Sequence, residues 1–466
     1  MKMFQSLPLL LGALLPLAAD AIPEGPAYPS LAWRLRETAN YAKTLEAPTE
    51  QATNPRFVAR LGTQSALNEL QYLLRGLADP SWLSRSSGNN NLTPLCASYI
   101  GPCAGDPFRY PGVDPFYDEE AEVTPVVFQD RGCARISGRV WKPRGLAPGT
   151  RLPGVVIETG SLQASEPLYW WMAQALVRSG YAVMTFDVRG QGRSDAQTPS
   201  GEAGSNNNPP VFWLGLVDAI DFFRSSVAVP YPHNLACAGL YPTEVTAANP
   251  ITDVIDASRL GLAGHSLGGT GVSVVQAYGA PGADAWPGVL DAENPVDVIV
   301  AWDSLAVGPA SNGRPAIVPR VPAMDQSSEY GIFGLTFARP PEPDGHLVAF
   351  NAWRAAGLPV TTLTIRGSTH FEWSLIPTFP ATSWCPRTAG GACSGGWGRP
   401  MAEHYSLAWL DRWLKLPGEA GFDSADSRLL ADADWRERTS FYFRSARSFV
   451  TRDGVAQTCG DVRAGC

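Results

Sequence analysis

The sequence predicts an α/β protein: a mostly parallel, eight-stranded sheet with helices packed on both faces. Three observations carry this reading. Short apolar runs of strand length alternate with segments of helical spacing from Val126 to Leu416, the pattern of strands buried on both sides. A serine-bearing turn, Gly264-His265-Ser266-Leu267-Gly268-Gly269, joins the apolar run Leu260-Gly261-Leu262-Ala263 to the small-residue helical segment Thr270 to Tyr278. The length of 466 residues is enough for one large core with a subdomain or long loops besides.

In chain order, Val126 to Phe128 and Ala134 to Lys142 read as two early strands, Gly154 to Glu158 as a third and Tyr181 to Asp187 as a fourth. Helical spacing appears in Glu166 to Arg178, Phe212 to Ser225, the segment after Ser266, His346 to Ala356 and Met401 to Leu416. Between them lie the strand before Ser266, then Val298 to Trp302, Val321 to Gly331 and Thr361 to Ile365. Sheets of this kind place their chemistry at strand C-termini.

The spacing G-x-S-x-G is that of a nucleophile elbow, where glycines on either side of a strained serine let neighbouring backbones approach closely. A serine hydroxyl needs a histidine base and an orienting carboxylate from later in the chain. Of five histidines, His265 lies inside the elbow, its side chain expected to point away from the serine. His233 precedes the elbow, and His346 and His404 sit in helical or turn contexts as structural residues. His370 follows the strand Thr361 to Ile365 and the turn Arg366-Gly367-Ser368-Thr369, the place for a base. Three carboxylates compete for the third role. Glu329, after the strand that precedes the histidine strand, is preferred. Asp303, at the end of Val298 to Trp302, is the alternative, and Asp325 is expected inside its strand with local hydrogen bonds. The oxyanion hole should use the N–H of Leu267 and one from the loop Thr159-Gly160-Ser161-Leu162-Gln163, at Ser161 or Leu162. Gly190-Gln191-Gly192 lacks the third glycine and the acidic residue of a dinucleotide site and reads as a turn.

With these residues in place the chain resembles a serine hydrolase of the α/β-hydrolase superfamily from about Val126 to Leu416. Asp187-Val188-Arg189-Gly190-Gln191-Gly192-Arg193-Ser194 resembles the turn after the fourth strand in many of its esterases and lipases. Arg366 to Phe371 and Tyr405 to Leu410 are similar to the histidine loop and last helix of cutinase-like polyester hydrolases and dienelactone-hydrolase relatives. The resemblance implies cleavage of small-molecule or polymeric carboxylic esters through an acyl-enzyme, with no cofactor and no metal. Lipase, polyester hydrolase and peptidase chemistry use the same machinery. A binding module of this fold, as in cholinesterase-like adhesion domains, is the reading from a different class.

Residues 1–21 read as a signal peptide: Lys2, the apolar run Leu7 to Leu17, and Ala19-Asp20-Ala21 before Ile22-Pro23. A secreted or periplasmic protein is expected, with no stable membrane insertion, and eight cysteines agree with an oxidising compartment. Spacing pairs Cys96 with Cys103, Cys385 with Cys393 and Cys459 with Cys466, leaving Cys133 for Cys237; no C-x-x-C points to zinc. The net charge of −8 argues against a nucleic-acid partner. The sequence does not determine the oligomeric state. Residues 22–122 form an N-terminal extension, 123–418 the catalytic domain with insertions at about 196–210, 226–258 and 371–400, and 419–466 a tail packing on the core. Trp302 and Trp373, near candidate site residues, are expected to line an acyl or alcohol pocket.

Overall fold

The central parallel strands are apolar on both faces because both faces are covered. A computed structural model describes residues 26–38, scattered residues between 55 and 81, and 116–161, 165–205, 208–242, 245–303, 305–332, 337–374 and 397–466. The expected signal peptide and the pairs Cys96–Cys103 and Cys385–Cys393 lie outside the described residues.

Ten strands form one sheet: β1 (Ala121–Gln129), β2 (Arg135–Pro143), β3 (Leu152–Glu158), β4 (Ala182–Phe186), β5 (Ile255–His265), β6 (Val298–Trp302), β7 (Ala323–Ser328), β8 (Val360–Ile365), β9 (Ala446–Val450) and β10 (Ala456–Cys459). Their order is β1-β2-β4-β3-β5-β6-β7-β8-β9-β10. The block from β4 to β8 is parallel, while β1 and β2 at one end and β9 and β10 at the other pair antiparallel. The expected eight strands are therefore ten: the tail does not only lie on the core but extends the sheet, β9 pairing with β8 through Val360↔Ser448 and two further partners.

The crossover helices are α1 (Trp170–Arg178), α2 (Val211–Arg224), α3 (Leu267–Ala277), α4 (Val348–Ala355) and α5 (Gly398–Leu414). Strand alternation sorts the core between two layers. Val156, Met184 and Leu262 pack under α2, α3 and α4 with Phe212, Val272 and Trp353. Val155, Ile157, Val183 and Ala263 face α1 and α5 with Trp171, Leu176 and Trp409. Two disulfides are formed among the described residues, Cys133–Cys237 and Cys459–Cys466. The first ties the β1–β2 turn to the segment after α2 across 104 residues. Among the described residues no helix is long and apolar enough to cross a membrane.

The strand order changes direction at β3, which has β4 on one side and β5 on the other. The loops leaving the C-terminal ends of β3 and β5 thus diverge to opposite faces and leave a crevice between them, where open α/β sheets bind ligands.

Candidate active site

Ser266 stands at that crevice between β5 and α3, with φ +60° and ψ −120°, a conformation an L-residue holds only when its surroundings enforce it. The flanking glycines show what enforces it. A side chain on Gly264 would press on the carbonyl of Gly268, and one on Gly268 would come 2.5 Å from the carbonyl oxygen of Thr159. Only bare backbone fits where the turn packs against the β3 loop. The Ser266 N–H donates to the carbonyl of Trp302 at 2.9 Å, which ties the turn to the end of β6.

The residue after Trp302 is Asp303, and the same connection brings it into the site. His370 Nε2 lies 2.9 Å from Ser266 Oγ, and His370 Nδ1 lies 2.6 Å from Asp303 Oδ2. Asp303 also accepts the Ser328 N–H on Oδ1 and the Ser328 hydroxyl on Oδ2, each at 2.8 Å. Burial pushes its carboxyl up, but the hydrogen bond and charge of His370 and the two Ser328 hydrogen bonds outweigh this and hold it below the usual carboxylate range. An ionised Asp303 fixes a proton on His370 Nδ1 and leaves Nε2 facing the serine as acceptor. The His370 loop is anchored in turn by the His370 N–H, which donates to Gly331 O at 2.9 Å.

Glu329, the preferred acid, is not the partner of His370. Its Oε2 accepts the Gly367 N–H at 2.6 Å and its Oε1 accepts the Ser440 hydroxyl at 2.5 Å, so it braces the turn before His370 against the tail. The Ser440 half of that pairing comes from 111 residues away, which local sequence order does not reveal. Asp303, the alternative, takes the position. Trp302 and Trp373 are also corrected: both are fully buried, their indole N–H groups donating to Ser406 Oγ and Gln326 Oε1, so they are core rather than pocket. His346 stacks on Phe443 at 3.6 Å, and His404 Nε2 donates to the Arg428 carbonyl at 2.9 Å.

The first residue of α3, Leu267, has no intrahelical acceptor for its N–H, and the helix dipole adds positive potential there. Across the crevice is Ser161; Leu162 lies outside the described residues. The neighbouring Gly160 has its N–H engaged by the Tyr169 hydroxyl at 3.0 Å and its carbonyl engaged by the Gln191 side chain. Tyr169 and Gln191 were not singled out in the sequence, because nothing in a helical apolar run or a glycine turn marks a side chain as reaching a distant loop. Beneath α3, the Glu158 carboxyl is fully buried and has no hydrogen-bond partner among the described residues. Burial alone raises it well above its ordinary value. No three His, Cys, Asp or Glu side chains converge as a metal site among the described residues.

No protein family's profile matches the sequence, and no curated protein matches it. Among solved structures, a hypothetical protein from Pseudomonas aeruginosa is similar at 19% identity with a TM-score of 0.25, over 39% of this chain and 43% of that one. The chain thus spans less than half the length of that neighbour.

A cavity of about 550 Å³ opens beside His370, walled by Tyr330, Ile332, Phe337, Val348 and Phe443, with Asp303 and Asp325 at its polar end. Asp325 lies inside β7 as expected, its Oδ1 accepting the Leu305 N–H and its Oδ2 the Ser327 hydroxyl, each at 2.9 Å. Burial, reinforced by the charge of Asp303, pushes it up to about 7. Between about pH 4, where the unfolded chain loses this proton, and about pH 7, the native state binds more protons than the unfolded one, so stability falls as pH rises. Asp325→Asn removes that linkage. Its stability, read as melting temperature, is expected to gain on the wild type between pH 4 and pH 8, by on the order of 4 kcal/mol. A constant difference across this range in thermal melts would refute the assignment.

Proposed function

We propose that this chain is a serine hydrolase of the α/β-hydrolase type that cleaves carboxylic esters. The observation that supports it best is the unbroken line Ser266 Oγ, His370 Nε2, His370 Nδ1, Asp303 Oδ2, at 2.9 and 2.6 Å, ending on a serine held in strained geometry at the sheet's crevice.

In this reading Ser266 Oγ attacks the ester carbonyl carbon as His370 Nε2 takes its proton. The carbonyl oxygen becomes an oxyanion held by the N–H of Leu267 and of the β3 loop at Ser161. Collapse breaks the carbon–oxygen bond to the alcohol, which leaves with the proton from His370. Water then enters, gives a proton to His370 and attacks the acyl-enzyme, and the second collapse returns the proton to Ser266 and releases the acid. Asp303 remains ionised throughout and stabilises the imidazolium. The apolar and aromatic wall beside His370 fits a hydrocarbon portion of the substrate. Export belongs to the same proposal, supported by the leader-like residues 1–21 and the disulfides.

The test is hydrolysis of p-nitrophenyl esters from acetate to palmitate, with the wild type expected to turn over part of the series and a fluorophosphonate to label Ser266 stoichiometrically. The chain-length optimum separates esterase from lipase. A folded protein that cleaves nothing in the series and takes no label at Ser266 overturns the reading.

A further inference from the structure

We propose that Tyr169 and His265 are positioning residues, a buried relay that sets the oxyanion loop and the catalytic base at a fixed distance across the elbow. The inference rests on the reading of Ser266 as nucleophile and adds two residues that this reading does not require.

The geometry is directional. The carbonyl of His370 can only accept, so its 2.8 Å contact with His265 Nε2 places the ring proton on Nε2. Nδ1 of that neutral ring is then an acceptor, and the Tyr169 hydroxyl 2.9 Å away donates to it. The Tyr169 oxygen in turn accepts the Gly160 N–H at 3.0 Å. Three hydrogen bonds therefore run one way, from the Gly160 N–H through the Tyr169 hydroxyl to His265 Nδ1, and from His265 Nε2 to the carbonyl of His370. Tyr169 and His265 are both buried, which strengthens such a chain and removes water as a substitute. Burial, with the charge of His370 next, pushes His265 down to about 3, so the ring stays neutral and its donor and acceptor ends do not exchange as the site cycles.

Gly160 fits this purpose by what it lacks. A Cβ there would lie 3.0 Å from the Tyr169 hydroxyl and 3.2 Å from His265 Nδ1, displacing both. Its N–H is committed to Tyr169, so it does not face an oxyanion, and the next N–H along the described part of the loop is that of Ser161. His265 holds the base by its backbone rather than its ring, which leaves His370 Nδ1 to Asp303 and Nε2 to Ser266. His265, between the first elbow glycine and the serine, thus couples nucleophile turn, base loop and oxyanion loop.

The experiment compares wild type, Tyr169→Phe, His265→Phe and His265→Gln for kcat and KM on p-nitrophenyl butyrate and for the rate of fluorophosphonate inactivation, with melting temperatures alongside. Tyr169→Phe keeps the ring and deletes one hydroxyl; kcat and the inactivation rate are expected to fall roughly 10- to 100-fold with KM within about twofold. His265→Phe is expected to fall further, and His265→Gln, which retains a donor for the His370 carbonyl, to recover part of the loss. A purely structural role would move melting temperature and leave kcat and inactivation of the folded enzyme unchanged, and that result overturns the relay. If the wild type itself takes no label, the serine reading falls and the relay with it. Nitrogen-15 NMR of histidine-labelled wild type gives a check that needs no variant: His265 should show the Nε2–H tautomer from pH 5 to 8, and an Nδ1–H tautomer or a titrating ring overturns the proposal.

Discussion

Ser266→Ala is expected to lower ester hydrolysis by roughly 10⁵- to 10⁶-fold, Asp303→Asn by about 10⁴-fold, and Glu329→Gln by less than about tenfold. The three values follow from what each side chain touches. In the proposed mechanism Ser266 Oγ forms the covalent bond, so its loss leaves only binding and the oxyanion donors. Asp303 touches no substrate; it selects the tautomer. An amide at this position can present its N–H₂ to His370 Nδ1, which then becomes the acceptor and leaves Nε2 protonated, unable to take a proton from the serine. Fold and KM should therefore survive while kcat collapses. Glu329 is engaged by Gly367 and Ser440, and its amide keeps one acceptor oxygen for them. Its loss is expected in stability, at about 1–3 kcal/mol for a buried group left without a partner, more than in rate. Steady-state kinetics with urea unfolding of each variant separates these outcomes. If Glu329→Gln is the slow variant and Asp303→Asn is not, the assignment of the acid is reversed.

How much of this was legible in the sequence depends on the range of the interaction that fixes each feature. Strand β6 spans Val298–Trp302 as the sequence reading has it, since five consecutive apolar residues between turns leave few alternatives. The meeting of Ser266 with His370 was legible because the elbow spacing and the strand–turn context are local. Which carboxylate meets His370 was not, because Asp303 and Glu329 each follow a strand in the parallel block, and the choice depends on where two side chains turn after the chain leaves the sheet. Asp303 does so with φ +44°, a local bend that no apolar pattern announces. Strands β9 and β10 were missed for another reason. Ala446–Val450 and Ala456–Cys459 are short, lie at the sheet's edge and carry polar residues on their open side, so they lack the double-sided apolar signature of the central strands. The Tyr169–His265 contact spans 96 residues, and neither residue's local pattern points to the other.

Arg135→Met is expected to destabilise the protein by about 3–5 kcal/mol and to slow turnover by the molecules that remain folded. Arg135, in β2, is fully buried. Its Nε and Nη2 donate to the two oxygens of Asp195 at 3.0 Å, its Nη1 donates to Asp79 Oδ2 at 2.8 Å, and its guanidinium lies 4.0 Å from the Tyr241 ring centre. Removing the cation takes away the guanidinium that Asp79 and Asp195 share, and deleting one partner of a buried ion pair is far more harmful than the intact pair is helpful. The consequence reaches the site because Asp195 ends the turn that follows β4. Its N–H donates to the Arg135 carbonyl, and within that turn the Gln191 side chain holds the Gly160 carbonyl while its amide lies 3.3 Å from Thr159 Oγ1. A loosened turn frees the oxyanion loop on the side opposite Tyr169, so kcat should fall while KM changes little. Adding Asp195→Leu to Arg135→Met removes one of the stranded charges and should recover part of the stability without recovering the rate, since the brace on Gln191 is still missing. Urea unfolding with kcat measured on the same preparations distinguishes the two effects. A loss below about 1 kcal/mol would place this arginine with ordinary surface ion pairs and break the link between the network at β2 and the loop that faces Ser266.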